Sequence, residues 1–373
     1  MIANITAQSF DYEKFNAILE QQNRFIADWM QSEHVDDVPL WIVPNLDLWT
    51  FDTCRRREEF LQRNLELLHT SIEWKSDLVF PHLQPWYGVG IYATAFGAHY
   101  IWDENYCPQV RPIFSRTEEI EHIEKPAIET SEPMREVLER IEWYREVTHD
   151  QLPICLTDTQ SPHDTASLLM ETNTFFAECS CCHEKYENFL QAITDIIIEF
   201  SEKQMEAIGP RLSLPGHQML CHPRFQGISV SDDNMVMLSP RTYQATSLPY
   251  LQKIAANFGG IAVHSCGNVT HNIPNLLKIE GLEQVEHAAC VINKSDPTPT
   301  PPENIQAGYG RSGVIAKIRL HKSEACLLKK LLTKDFKCVV QITGVESKAE
   351  SEAVYREFKE AVSIVLEAQK RSV

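Results

Sequence analysis

Short apolar runs recur along the chain, and longer amphipathic stretches fill the intervals between them. The runs are PLWIV (39–43), DLVFPH (77–82), LPICLT (152–157), GISVS (227–231), GIAVH (260–264), LEQVEH (282–287), VIAKI (314–318) and CVVQIT (338–343). Near-continuous apolar runs of this length suit strands buried on both faces of a parallel sheet. Helical period is carried by Glu58–Leu68, Met134–Thr148, Tyr186–Ile208, Pro240–Ala256, Ser323–Thr333 and Ser347–Gln369. Ser239-Pro240 adds a capping residue followed by proline at the first helical position. Eight such runs alternating with helices predict an α/β fold, a (β/α)8 TIM barrel, with residues 1–373 forming a single domain. Within it, 1–37 predict N-terminal helical cover, 38–373 the barrel, and Trp86–Glu129 an inserted segment after strand two. No internal repeat or low-complexity tract is evident, and PTPTPP (297–302) predicts a semi-rigid loop after the sixth run.

A barrel of this kind carries its chemistry at the C-terminal ends of the strands. Polar residues gather there: Thr157-Asp158-Thr159-Gln160 after the third run, Ser231-Asp232-Asp233-Asn234 after the fourth, and His264-Ser265-Cys266-Gly267-Asn268 after the fifth. The sixth run ends in His287 with Cys290 just beyond, the seventh in Lys317 and Arg319, and the eighth in Thr343-Gly344.

His264-Ser265-Cys266-Gly267 is the sharpest of these signals. Residues i and i+2 of a strand point the same way, so His264 and Cys266 would present imidazole and thiolate to one ion. Cys290 lies past the next strand, and neighbouring strand ends of a barrel come close together. Three protein ligands with one open position make the catalytic form of a zinc site, so His264, Cys266 and Cys290 are the candidate metal ligands. The bland alternative is a histidine and a cysteine packed at a barrel end without metal.

Asp232 and Asp233 read either as substrate-orienting or acid–base carboxylates, or as caps of the turn before Leu238-Ser239-Pro240; Asp158 has the same two readings. Lys317 and Arg319 would either hold a substrate carboxylate or snorkel to solvent. Cys179-Ser180-Cys181-Cys182-His183 lacks zinc-knuckle spacing and predicts an exposed, redox-sensitive loop at the start of a helix. Cys221-His222, just before the fourth run, is held as a fourth ligand at the mouth. Trp86-Tyr87-Gly88-Val89-Gly90 has two glycines but no strand–Gly-x-Gly-x-x-Gly–helix context, so no dinucleotide site is expected.

Composition narrows the classes further. Lys+Arg number 34 against 52 Asp+Glu, a net charge of −18, and no basic stripe offsets it, so nucleic-acid binding is not expected. No stretch approaches the roughly 18 apolar residues of a membrane helix, and the N-terminus lacks a basic start and an apolar core, so a cytoplasmic protein is expected. In a reducing compartment the 11 cysteines predict buried hydrophobes, metal ligands or reactive thiols rather than disulfides.

The run Gly227–Asn268, with its L-S-P, P-Y-x-x-x-I and H-x-C-G-N blocks, resembles the uroporphyrinogen decarboxylase superfamily. Thr157–Pro162 and Leu83–Gly88 are similar to members of the same group, and the resemblance runs from about Val38 to the C-terminus. One branch of that superfamily comprises metal-free decarboxylases that grip porphyrinogen carboxylates with an N-terminal arginine-rich loop. Here the segment after the first run, Asn45-Leu46-Asp47-Leu48-Trp49, is acidic and aromatic, and no arginine follows until Arg55. The other branch comprises zinc-dependent methyltransferases that move a methyl group from a corrinoid protein to a thiol. His264 and Cys266 match the H-x-C of that branch, whose distant cysteine falls at Thr343 here; Cys338 lies at the other end of that strand, and Cys290 would supply the missing thiolate. The resemblance thus implies Zn2+, a methylcorrinoid on a partner protein, a small-molecule thiol acceptor, and Asp158, Asp232 or Lys317 positioning that acceptor. A metal-free decarboxylase and a non-catalytic family member are the alternatives.

Overall fold

The computed structural model describes residues 5–32, 35–44, 53–102, 108–217 and 219–370. Its strands are β1 (Leu40–Pro44), β2 (Tyr100–Ile101), β3 (Gln109–Val110), β4 (Ile228–Ser231), β5 (Ile261–His264), β6 (Leu282–Ala288), β7 (Ile315–His321) and β8 (Cys338–Val345). Six of them form one parallel sheet in the order β1-β8-β7-β6-β5-β4, while β2 and β3 make a separate antiparallel pair inside the predicted insertion. These six correspond to six of the eight apolar runs, and helices cover them, giving the α/β fold. Ile42, Val230, Val263, Val285, Ile318 and Val340 lie in one contiguous buried cluster.

The second and third runs are extended but do not form ladders. Single parallel bridges join Leu83 to Ile154 and Gln160 to Ser231, and the Asp77 amide donates to Leu40 O at 2.9 Å. Pro81 and Pro153 explain the difference, because each removes a backbone donor from its run. Side chains replace the missing ladder beside β1, whose Leu40 and Ile42 amides donate to Asp77 Oδ2 and Ser76 Oγ at 2.9 Å each.

The N-terminal cover is the helix Tyr12–Gln31, capped by Asp11, and the C-terminal helix Lys348–Lys370 packs on β1 and β8. The predicted helix 240–256 is two helices, Pro240–Thr246 and Leu248–Phe258. Pro249 breaks the amide ladder and restarts the second helix in its first turn. The stretch 323–333 is a 3-10 turn and a short helix, Leu328–Leu331. No helix among the described residues is long and apolar enough to cross a membrane. The acidic, aromatic segment 45–49 lies outside the described residues.

Candidate metal and active site

Parallel register sets Ser231, His264, Glu286 and Lys317 side by side on β4, β5, β6 and β7. Beyond β4 the chain turns at Asp232, whose amide donates to His264 O at 2.8 Å, and enters the 3-10 turn Asp233–Met237. The turn places the half-exposed Asp233 carboxylate against the end of β5, where its Oδ1 accepts the Cys266 amide at 2.6 Å. His264 Nε2 stands 3.4 Å from Cys266 Sγ and 3.7 Å from Asp233 Oδ1, and the three donor atoms lie within 4.8 Å of one another.

These separations test the fit of a metal. Zn–N of about 2.0–2.1 Å and Zn–S of about 2.3 Å at tetrahedral angles put neighbouring donors roughly 3.4–3.6 Å apart. The two spacings from His264 Nε2 meet that within a few tenths of an ångström, and an imidazole, a thiol and a carboxylate are a zinc-compatible donor set. The donors therefore fit a zinc ion. The loop that carries Cys266 turns at Gly267, whose φ of +88° suits glycine, and Thr300 ties it down by donating to Gly267 O at 2.8 Å and accepting the Val269 amide at 3.1 Å.

Glu286 organises the ground beneath this cluster. Its Oε2 bonds His264 Nδ1, which leaves Nε2 aimed at Cys266, the carboxylate–histidine arrangement that orients a ligand. Its Oε1 stands 2.5 Å from Arg319 Nε and 3.8 Å from Lys317 Nζ. Arg319 also donates through Nη2 to Cys266 Sγ at 3.5 Å. Burial alone would raise the Glu286 acid, but Arg319, Lys317 and His264 together drive it far below the carboxylate range. Burial opposes charge on His264, yet Glu286, Cys266 and Asp233 hold the imidazole well above its ordinary value.

The predicted residues separate on this frame. His264 and Cys266 come together as expected, but the third donor of the cluster is Asp233, not Cys290. Cys290 follows β6 and turns toward β7, where its Sγ accepts the His321 amide at 3.1 Å. Asp232 does not face the cluster: it is fully buried, accepting from Ser161 Oγ at 2.9 Å and Tyr243 Oη at 2.8 Å. Burial pushes its acid up to about 6, with those two hydroxyls acting against the rise. Lys317 does not snorkel; it is buried over the Trp41 ring, and burial lowers its ammonium to about 8 against the pull of Glu286. Asp158 is buried between Trp86 Nε1 at 3.4 Å, Gln160 Nε2 at 3.2 Å and His217 Nε2 at 4.0 Å.

Cys221 is not at the mouth, because it precedes β4 at the N-terminal end; its Sγ lies 3.6 Å from His82 Nδ1. Thr343 donates to Leu320 O at 3.3 Å, and Cys338 is buried at the start of β8. The cysteine block closes the helix Thr172–Cys181 rather than forming a loop, and Cys179 is buried 4.0 Å from His163. Sequence reasoning missed Glu286 and His217. Glu286 carried a signal, an acid in the interior of an apolar run; His217 stands in a segment without periodicity and carried none. A cleft of about 430 Å³ opens beside Arg319, bounded by Val43, His321, Gln341 and Thr343.

The model of the uroporphyrinogen decarboxylase family matches residues 87–215. No curated protein matches the chain. Among solved structures, a methyltransferase from Methanosarcina mazei is similar in fold, with a TM-score of 0.63 and 16% sequence identity over 91% of this chain and 98% of that one. The matched segment ends before β4. The chain is thus similar to the uroporphyrinogen decarboxylase family over residues 87–215 and shares its parallel α/β fold with the Methanosarcina mazei protein.

Proposed function

We propose that this protein is a zinc-dependent methyltransferase that passes a methyl group from a methylcorrinoid partner protein to a small thiol. The observation that carries the reading is the Asp233–His264–Cys266 cluster, whose donor spacings suit one zinc ion. The fold likeness to the Methanosarcina mazei methyltransferase supports it. Zinc bound there supplies a Lewis acid that lowers the pKa of an acceptor thiol, making a thiolate nucleophile at neutral pH.

The chain's own residues do the rest. Glu286 holds the Nδ1 proton of His264 and so keeps Nε2 free as a donor atom. Arg319 donates to Cys266 Sγ and lines the cleft in which the acceptor's body would lie. Asp158 and Lys317, both buried, orient polar groups reaching the barrel interior. The corrinoid protein would present its methyl group across the open side of Asp233.

The test is metal content of protein purified without an affinity metal, followed by thiol methylation assayed with a methylcorrinoid. About one zinc per chain is expected, lost in Cys266→Ser and Asp233→Ala and retained in Cys290→Ser. A wild-type protein without stoichiometric zinc would overturn the reading in favour of a metal-free lyase.

A further inference from the structure

The Asp233 carboxylate stands at the rim of the cluster, half-exposed, at the start of the 3-10 turn Asp233–Met237. A buried acid from a different part of the chain holds that turn. Asp164 lies in the first turn of the helix Pro162–Leu169, after the bridge that joins Gln160 to β4. Its Oδ2 accepts the Asp233 amide at 2.6 Å and its Oδ1 accepts the Asn234 amide at 2.9 Å. Asn234 then bonds back to the same helix, through Nδ2 to Ser167 Oγ at 2.8 Å and to His163 O at 3.3 Å. Ser161 closes the structure: its Oγ accepts the Asp164 amide at 2.9 Å and donates to Asp232 at 2.9 Å.

We infer that Asp164 is a positioning residue for the metal cluster, fixing through two backbone amides the turn that delivers Asp233 to His264 and Cys266. The inference rests on the methyltransferase reading only in needing an ion at that cluster. Both carboxylate oxygens of Asp164 are spent on the Asp233 turn, apart from any need of its own helix, whose start Ser161 already caps. With one bond to each of two successive amides, the carboxylate fixes the peptide plane between them. The direction in which the Asp233 side chain leaves the backbone follows from that plane. Without Asp164 the Asp233 carboxylate would keep the 2.6 Å bond from the Cys266 amide and the 3.7 Å approach of His264 Nε2, but the backbone that aims it would lose both amide bonds. Partners that orient a metal ligand typically change metal affinity by about 10–100-fold.

The experiment is a double-mutant cycle on zinc affinity, read by competition with a chromophoric chelator in the full-length protein. Asp164→Ala is expected to weaken zinc at least tenfold, and Asp233→Ala by as much or more. The double variant is expected to be no weaker than Asp233→Ala alone, because Asp164 acts only through Asp233. Asp164→Asn keeps the shape and one acceptor oxygen, and should fall between wild type and Asp164→Ala; it serves if the alanine variant does not fold. Losses that multiply in the double variant, or wild-type affinity in Asp164→Asn and Asp164→Ala, would overturn the inference while leaving the zinc reading intact. A wild type that binds no zinc would overturn both.

Discussion

Two buried groups of acids flank Cys266, and the chain stabilises them in opposite ways. On the β6–β7 side Glu286 is surrounded by cations: Arg319 at 2.5 Å, Lys317 at 3.8 Å, and the His264 imidazole. On the β4 side Asp232 and Asp164 are surrounded by neutral donors, namely the hydroxyls of Ser161 and Tyr243 and the amides of Asp233 and Asn234. The outcome is opposite in sign. Glu286 is held far below its ordinary range, whereas burial and mutual repulsion push Asp164 well up and burial pushes Asp232 to about 6. Charge compensation holds a buried acid far below its ordinary range, whereas hydrogen bonds from neutral groups here offset burial only in part. The first arrangement supplies negative charge to orient His264; the second supplies rigid acceptors for a turn.

The difference predicts very unequal costs of neutralising each acid. Glu286→Gln removes the counter-charge of Arg319, Lys317 and His264 while leaving Lys317 and His264 buried and Arg319 partly so. It should cost about 3–5 kcal/mol in urea unfolding, the usual loss when one partner of a buried ion pair is removed. A cost near 1 kcal/mol would mean that water reaches these cations and that the compensation is unimportant.

Lys317 gives the next effect, and its sign is set by linkage. Its ammonium ordinarily titrates at 10.5 and burial lowers it to about 8. Between those values the unfolded chain holds a proton that the folded chain has released, so stability rises with pH across that window. Below about 8 both states are protonated and the burial cost is present in full. Lys317→Met removes this dependence. The wild type should therefore gain on the variant from pH 8 toward 10.5, by up to roughly 3 kcal/mol at 1.36 kcal/mol per pKa unit. Parallel pH profiles of urea stability for the two proteins would show that Lys317 does not titrate in this way.

The same contrast explains how much was readable in the chain. The parallel sheet was legible because VIAKI and CVVQIT leave no doubt about burial on both faces, and His264-x-Cys266 was legible because strand geometry pairs i with i+2. Pro81 and Pro153 stood in plain sight, but their effect on a ladder depends on which amides face a neighbour, which only the register decides. The choice of Asp233 over Cys290 was not legible for a similar reason. Sequence distance placed both near the mouth, whereas the turn held by Asp164 aims one inward and β7 draws the other aside. Asp232 misled because a carboxylate beside a strand end looks the same in sequence whether it faces solvent or Tyr243.

Asp232→Asn makes the mildest break and tests the neutral side of the comparison. Asparagine keeps the volume and one acceptor oxygen, so one of the bonds from Ser161 Oγ and Tyr243 Oη survives unchanged. The amide nitrogen faces the other hydroxyl, which must turn to accept and lose its own acceptor. One buried hydrogen bond is thus exchanged rather than a charge stranded, which sets the cost at about 1 kcal/mol. The Asp232 amide bond to His264 O is untouched, so the strand ends should stay in register and zinc content should match wild type. Urea unfolding and metal analysis of the variant read both quantities. A loss as large as that of Glu286→Gln would show that Asp232 carries a charge some cation depends on, and the two sides of Cys266 would then work by one principle rather than two.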